Sequence, residues 1–274
     1  MKILYFTLLF VGSSLAAPEF KIVGGQEATP NEFPYMISIQ DIIISDQSVL
    51  RHHFCGGSLL NENWVLTAAH CIIGFTGDNA TYRTEVVAGA HSIKTSNQFE
   101  QRRTAIQTIK HPDYQLIQTG ADQHAINDLA VIKVNEAFSF NQFVNKINLR
   151  SSGPYYSTGS TTLSGWGSIS RDSTPILPDK LQKVELELLS ALECFKMDSK
   201  IALENICAGN KGNKSCCSGD SGGPLVQKNQ NNEFIQIGVV SWTWIPCGKG
   251  DKTGVFANVL FYLNWIQKQI SDPK

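Results

Sequence analysis

The chain has 274 residues, 42% hydrophobic and 17% charged, with a formal net charge of −1. No basic run or stripe is present, which argues against nucleic acid or an anionic membrane as a partner. The length suits one all-β unit or two small packed halves.

The N-terminus carries Lys2, an apolar run from Ile3 to Val11, and then Gly12-Ser13-Ser14-Leu15-Ala16-Ala17. A basic start, a short apolar stretch and small residues read as a secretory signal peptide, assigned to residues 1–16. The run is about half of the ~20 apolar residues that a membrane span needs, and no later segment qualifies. The expectation is therefore a soluble, secreted, extracellular protein. Seven cysteines are present; in a secreted chain they pair, and an odd number leaves one over. No Cys or His spacing matches a zinc site, so no metal and no cofactor are expected.

Short runs rich in Val and Ile recur between turn residues at Val86 to Ala88, Leu129 to Val134, Ile235 to Ser241 and Val255 to Val259. Many short strands predict a barrel or a sandwich, an all-β fold class. The cluster Ser151-Ser152-Gly153-Pro154 marks the expected crossing from a first half to a second. At the end of the chain Leu260, Leu263, Ile266 and Ile270 recur at steps of three and four, which predicts a helix packing one face on the core.

The most informative string is Gly219-Asp220-Ser221-Gly222-Gly223-Pro224. A nucleophilic serine needs backbone N–H groups aimed at the oxygen that becomes anionic, and glycines let the main chain approach closely enough. A second motif is Thr67-Ala68-Ala69-His70-Cys71, where a disulfide beside the histidine would fix the backbone carrying a base. The histidines at positions 52, 53, 91, 111 and 124 lack such a setting and read as surface or loop residues. Asp128, in Asn127-Asp128-Leu129-Ala130-Val131, heads an apolar run at the rim of the core and could orient an imidazole. The order His, Asp, Ser separates this arrangement from subtilisin-like and α/β-hydrolase enzymes.

Together these motifs resemble the trypsin/chymotrypsin family of secreted serine endopeptidases, from Ile22 to the C-terminal helix. The resemblance implies two packed six-stranded Greek-key β-barrels with a C-terminal helix. It implies Ser221 as nucleophile, His70 as general base and acid, and Asp128 as the group that holds His70. Ser241, before Trp242, matches the family serine that bonds the aspartate. The N–H groups of Gly219 and Ser221 would form the oxyanion hole. Lys21-Ile22-Val23-Gly24-Gly25 resembles a zymogen cleavage site, with residues 17–21 as a short activation peptide, 22–274 as the protease domain, and the new Ile22 ammonium buried against Asp220. The implied disulfides are Cys55–Cys71, Cys194–Cys207 and Cys217–Cys247, with Cys216 left over; pairing of Cys216 with Cys247 remains open on sequence alone.

By the same resemblance Ser215 forms the floor of the specificity pocket, where trypsin-like members carry an aspartate. An uncharged floor points away from Lys and Arg. Thr243 stands where open pockets have glycine, Cys216 replaces a small polar wall residue, and Gly254 keeps the other wall open. The expectation is a chymotrypsin-like preference for apolar residues, with an elastase-like preference as the alternative. In the family's calcium loop Ala90 replaces the first carboxylate while Glu100 matches a later one. Asp41 to Arg51 reads as an enlarged hairpin, and Asn79-Ala80-Thr81 is a glycosylation sequon. The expected partners are protein or peptide substrates, an activating trypsin-like protease and protein inhibitors, for a monomeric enzyme. A catalytically silent homologue acting as a binding protein is the competing class, and the intact His70, Asp128 and Ser221 argue against it.

Overall fold

The computed structural model describes residues 24–72, 82–119, 122–154, 158–170, 174–209, 214–250 and 253–271. Residues 1–16, expected as a signal peptide, and Lys21, Ile22 and Asn79 lie outside the described residues. The first strands are β1 (Gln26–Glu27), β2 (Met36–Ile44), β3 (Val49–Leu59), β4 (Trp64–Thr67), β5 (Tyr82–Ala88), β6 (Gln101–Lys110), β7 (Gln115–Thr119), β8 (Asp122–Ile126) and β9 (Ala130–Val134). The second half holds β10 (Asn148–Leu149), β11 (Gly159–Gly165), β12 (Gln182–Leu188), β13 (Asn205–Ala208), β14 (Pro224–Lys228), β15 (Phe234–Trp242) and β16 (Gly254–Asn258). The two α-helices are α1 (Ala191–Met197) and α2 (Val259–Ser271).

Strands β2-β3-β4-β9-β6-β5 close a six-stranded barrel. In the second half β12-β11-β14-β15-β16-β13 run in order, and β13 returns to β12 at Leu188 and Ala208, so this sheet also closes on itself. β1 adds to β12, and β10 runs parallel to β15. This is the all-β, two-barrel, chymotrypsin-like architecture.

Strand periodicity explains the packing. In β12, Gln182, Val184, Leu186 and Leu188 are buried while Lys183, Glu185 and Glu187 between them are not, the period-two pattern of a sheet with one covered face. β2 differs: Ile37 and Ile39 are fully buried, and so are Ser38 and Gln40 on its opposite face. Both faces of β2 are therefore covered, and its polar side chains need partners inside the protein. The extended segment read from Asp41 to Arg51 is the outer part of the β2–β3 hairpin.

The chain crosses between halves earlier than Ser151–Pro154. β10 already belongs to the second sheet, and the connection from Val134 is anchored by buried Phe138, Val144 and Ile147. Apolar burial, which composition-based reading of linkers overlooks, holds this passage; the Gly/Ser cluster is a turn beyond it, with Gly153 at φ 99° against the Arg150 guanidinium. In α2 the buried face is Val259, Tyr262 and Ile266, displaced by one position from part of the expected stripe. Among the described residues no helix is long and apolar enough to cross a membrane.

Disulfides join Cys55 to Cys71, Cys194 to Cys207 and Cys217 to Cys247, with Cα–Cα separations of 6.1, 5.5 and 5.6 Å. Cys216 is a free, buried thiol.

Close strand approach sets one glycine. A Cβ on Gly57 would lie 2.9 Å from Val65 Cγ1 and 3.0 Å from the Leu66 carbonyl oxygen. Gly57→Ala is expected to destabilise the protein by about 1–3 kcal/mol, the usual cost of overpacking. Urea unfolding would register this as a lower midpoint at unchanged slope.

Candidate active site

His70 sits in the short 3-10 turn Ala69–Ile72 that follows β4, beside the Cys55–Cys71 disulfide. Asp128 precedes β9, next to Asn127 at φ 50°. Ser241 lies on β15 in the second barrel. These three elements converge on one carboxyl group. Asp128 Oδ1 accepts from the His70 backbone N–H at 2.9 Å. Its Oδ2 accepts from His70 Nδ1 at 2.8 Å and from Ser241 Oγ at 2.6 Å. Asp128 is 2% exposed, and a buried carboxylate is tolerated only when its lone pairs are satisfied in this way.

Burial pulls the His70 pKa down, but the Asp128 charge and hydrogen bond outweigh it and the net shift is upward. With Nδ1–H donated to Asp128, Nε2 is the nitrogen that holds the lone pair. Asn127 is itself held, since Tyr262 Oη on α2 donates to Asn127 Oδ1 at 2.9 Å. The C-terminal helix therefore supports the loop that carries Asp128, a role beyond the core packing expected of its stripe.

Ser221 lies between two barrels that both hold its backbone. Gly56 N–H on β3 donates to the Ser221 carbonyl at 2.7 Å, and Gly222 N–H donates to the Val240 carbonyl at 2.9 Å. Gly219 at φ 98° and Gly222 at φ 77° occupy backbone conformations that favour glycine. Cβ atoms there would meet Leu177 and Thr67 respectively. His70 and Ser221 line one cleft of about 610 Å³. They make no hydrogen bond to each other in this conformation; such contacts commonly tighten only when substrate binds.

Asp220, 1% exposed, points inward, where its oxygens accept from Gly167 N–H at 2.8 Å and Cys217 N–H at 3.0 Å. Burial pushes its pKa up to about 6 against the pull of those two bonds. A Cβ on Gly165 or Gly167 would collide with this carboxyl group, so both glycines make room for it.

Of the residues expected around the specificity pocket, Cys216 and Thr243 line the cleft, and Ser215 and Gly254 sit behind them. Ser215 is fully buried, its Oγ 3.4 Å from Thr243 Oγ1, which in turn approaches the Thr253 carbonyl at 3.5 Å. The Thr243 hydroxyl thus reaches across from Ser215 to the opposite wall. Cys216 Sγ lies 2.6 Å, and the Phe256 ring 3.0 Å, from where a Gly254 Cβ would stand, so only glycine fits at 254. Burial, with Asp220 nearby, pushes the Cys216 thiol up to about 12, and it stays neutral.

Several contributors went unread in the sequence. The β7–β8 hairpin supplies Leu116, Gln123, His124 and Ala125 to the cleft, and Lys200 and Trp244 line it as well. The sequence signals this hairpin only through a glycine, Gly120, between two short apolar stretches. His124, expected at the surface, is 7% exposed and packs on Trp242 with ring centroids 6.0 Å apart. His53, also expected at the surface, is 4% exposed and bonds Ser38 and the Gly219 carbonyl. Both histidines are buried by contacts with distant segments, Gly219 for His53 and Trp242 for His124, which local composition does not reveal.

The calcium loop does not fit calcium. Glu100 Oε2 accepts from Arg102 at 2.9 Å, its Oε1 accepts from Asn97 N–H at 3.3 Å, and Ala90 offers no side-chain oxygen. A cluster of Cys55, His70 and Cys71 has ligand-like proximity, but its sulfurs are joined in a disulfide and offer no thiolate.

A family model described as Trypsin matches residues 22–266. Trypsin-1 of Astacus astacus is 34% identical over 252 residues, covering 90% of this chain and 98% of that protein. Cationic trypsin-3 of Rattus norvegicus is 36% identical over 279 residues, covering 99% of each chain. Serine protease 1 of Homo sapiens is 35% identical, covering 96% of each. The chain belongs to the trypsin family of serine endopeptidases, hydrolases that act on protein substrates.

Asp128→Asn should leave the imidazole in the wrong tautomer and lower kcat by about four orders of magnitude. It should also shift the acidic limb of kcat/KM to lower pH, because the interactions that raise the His70 pKa are removed. A pH–rate profile of the residual activity reads both effects.

Proposed function

We propose that the chain is a secreted zymogen of a serine endopeptidase that hydrolyses peptide bonds through an acyl-enzyme and prefers apolar residues before the scissile bond. The observation that carries the reaction is the fully satisfied Asp128 carboxyl group, which leaves His70 Nε2 as the base facing the cleft. Ser221 Oγ attacks the carbonyl carbon as His70 takes its proton. His70 returns that proton to the leaving amine, and water then cleaves the ester by the same route. The N–H groups of Gly219 and Ser221 receive the oxyanion.

Activation follows from Asp220. Among the described residues no cation pairs with it, and two backbone N–H groups alone leave its pKa near 6. A carboxyl group whose folded pKa is raised loses stability for the fold as pH rises through the interval up to that value. An ammonium released at Ile22 by cleavage after Lys21 would offset this cost and order the segment around Gly219. Residues 1–16 serve as signal peptide and 17–21 as activation peptide, and a trypsin-like protease suits the Lys21 junction. Lys21→Gln protein with an uncut N-terminus should show no more than a trace of the activity of the cleaved wild type against a chromogenic peptide. Full activity of the uncut form contradicts the activation step.

Specificity rests on the buried, uncharged Ser215. A hydroxyl does not offset the desolvation of a Lys or Arg side chain, so apolar residues are favoured although several relatives are named trypsins. The Thr243 hydroxyl between Ser215 and the Thr253 carbonyl favours a second, elastase-like reading, in which medium-sized side chains are preferred over aromatic ones. Thr243→Gly should raise the Phe-to-Leu ratio of kcat/KM by roughly tenfold, within the ~1–3 kcal/mol that such pocket changes command. An unchanged ratio removes the constriction, and strong cleavage after Arg removes the pocket assignment.

A further inference from the structure

A chain of buried polar side chains links the first barrel to the segment that carries Ser221. Ser38, Gln40 and His53 are 0%, 1% and 4% exposed, although none belongs to the cleft. Burying polar groups is costly unless each finds a partner, and here they partner one another in sequence. His53 Nε2 bonds the Gly219 carbonyl at 3.0 Å, and His53 Nδ1 bonds Ser38 Oγ at 2.8 Å. Gln40 Nε2 donates to Ser38 Oγ at 3.0 Å, and Arg102 Nη1 donates to Gln40 Oε1 at 3.1 Å. The guanidinium is in turn held by Glu85 at 3.2 Å and Glu100 at 2.9 Å.

The direction of every bond is set by chemistry. The Gly219 carbonyl can only accept, so His53 carries its proton on Nε2. Burial pulls the His53 pKa down to about 4 and keeps the ring neutral, so Nδ1 can only accept and the Ser38 hydroxyl donates to it. Arg102 at the far end can only donate, which turns Gln40 Oε1 towards it and Gln40 Nε2 towards Ser38. Both ends agree, and the chain has a single consistent polarity. The Trp166 ring packs against His53 at 5.5 Å between centroids and closes off the alternative of a swung imidazole.

The end of this chain matters because Gly219 is held from two sides: the peptide that carries its N–H is fixed through the Ser218 carbonyl, which accepts from Ser168 N–H at 2.7 Å, and the next peptide is fixed at the Gly219 carbonyl by His53. Gly219 has no side chain, it sits at φ 98°, and the His53 bond is the only hydrogen bond to Gly219 itself among the described residues. We propose that Gln40 and Arg102 are positioning residues for the oxyanion hole, acting through Ser38 and His53 to fix the Gly219 carbonyl and with it the backbone torsions of Gly219 that set where its N–H, on the preceding peptide, is aimed. This rests on the reading of Gly219 N–H as an oxyanion donor. In it, an internal guanidinium neutralises the loop carboxylate Glu100 and at the same time anchors a part of the catalytic machinery that none of these four side chains touches directly except His53.

The experiment uses the Lys21-cleaved enzyme and Gln40→Met, which keeps the side-chain length and removes both bonds. Losing an oxyanion donor outright lowers kcat by about 10²–10³, and loosening one should lower it by about tenfold with KM within about twofold of wild type. A peptide aldehyde, whose adduct with Ser221 carries the oxyanion, should bind more weakly by the same factor as kcat/KM falls. The matching peptide alcohol, which fills the pockets without forming an oxyanion, should bind unchanged. Gln40→Glu keeps an acceptor for Arg102 but withdraws the donor to Ser38, and is expected to behave alike; it carries the test if the methionine variant fails to fold. Unchanged kcat in either folded variant overturns the proposal, as does equal weakening of aldehyde and alcohol. In the wild type, an aldehyde that binds no more tightly than the alcohol would overturn the oxyanion reading itself and the proposal with it. Tight aldehyde binding in the wild type that persists in the variants overturns only the positioning role.

Discussion

A single buried carboxyl group holds this molecule's chemistry in register. Asp128 is almost inaccessible to water, and its lone pairs are taken up by the His70 backbone, the His70 ring and the Ser241 hydroxyl. Two of those donors come from the first barrel and one from the second, so the barrels must meet correctly for the charge to be tolerated. The desolvation of an unpaired carboxylate costs several kcal/mol, more than any of the individual contacts around it contributes. Domain packing and catalytic geometry are therefore one constraint. The Ser221 segment follows the same logic, with its backbone tied to Gly56 on one side and Val240 on the other.

What the sequence made legible was the part written in short, chemically demanding strings. Gly219 to Pro224, Thr67 to Cys71 and the apolar run after Asp128 need those residue types for local reasons of backbone approach, disulfide bracing and strand burial. What stayed hidden depends on contacts between distant segments. His53 and His124 look like ordinary surface or loop histidines because nothing nearby in sequence reports the distant Gly219 carbonyl and Trp242 ring that bury them. The passage between barrels is anchored by buried Phe138, Val144 and Ile147, which a reading of Gly- and Ser-rich composition does not register. Tyr262 supporting Asn127 is a contact across 135 residues, beyond the reach of helical periodicity.

The proposed specificity pocket shows how far resemblance carries. Relatives about 35% identical are named trypsins, yet Ser215, the residue proposed as the pocket floor, is uncharged, and the Thr243 hydroxyl lies 3.4 Å from it. The scaffold tolerates such exchange because the pocket walls are individual side chains set on strands and loops that other contacts define. Cys216 illustrates the point: a neutral thiol packed against Gly254 occupies a wall position without disturbing the neighbouring Cys217–Cys247 disulfide. Where the loop carboxylate Glu100 is concerned, the Arg102 guanidinium of the same barrel neutralises it, and the polar chain from that guanidinium ends at the Gly219 carbonyl.

The proposed chemistry requires that Ser221 be the nucleophile that His70 activates. The most direct measurement is labelling of the Lys21-cleaved protein with a peptidyl phosphonofluoridate, followed by digestion and mass spectrometry. The account predicts one adduct per molecule, on Ser221, formed in step with the loss of peptidase activity and absent from His70→Ala protein. Inactivation with Ser221 unmodified, or an adduct on another residue that tracks the loss of activity, would contradict it.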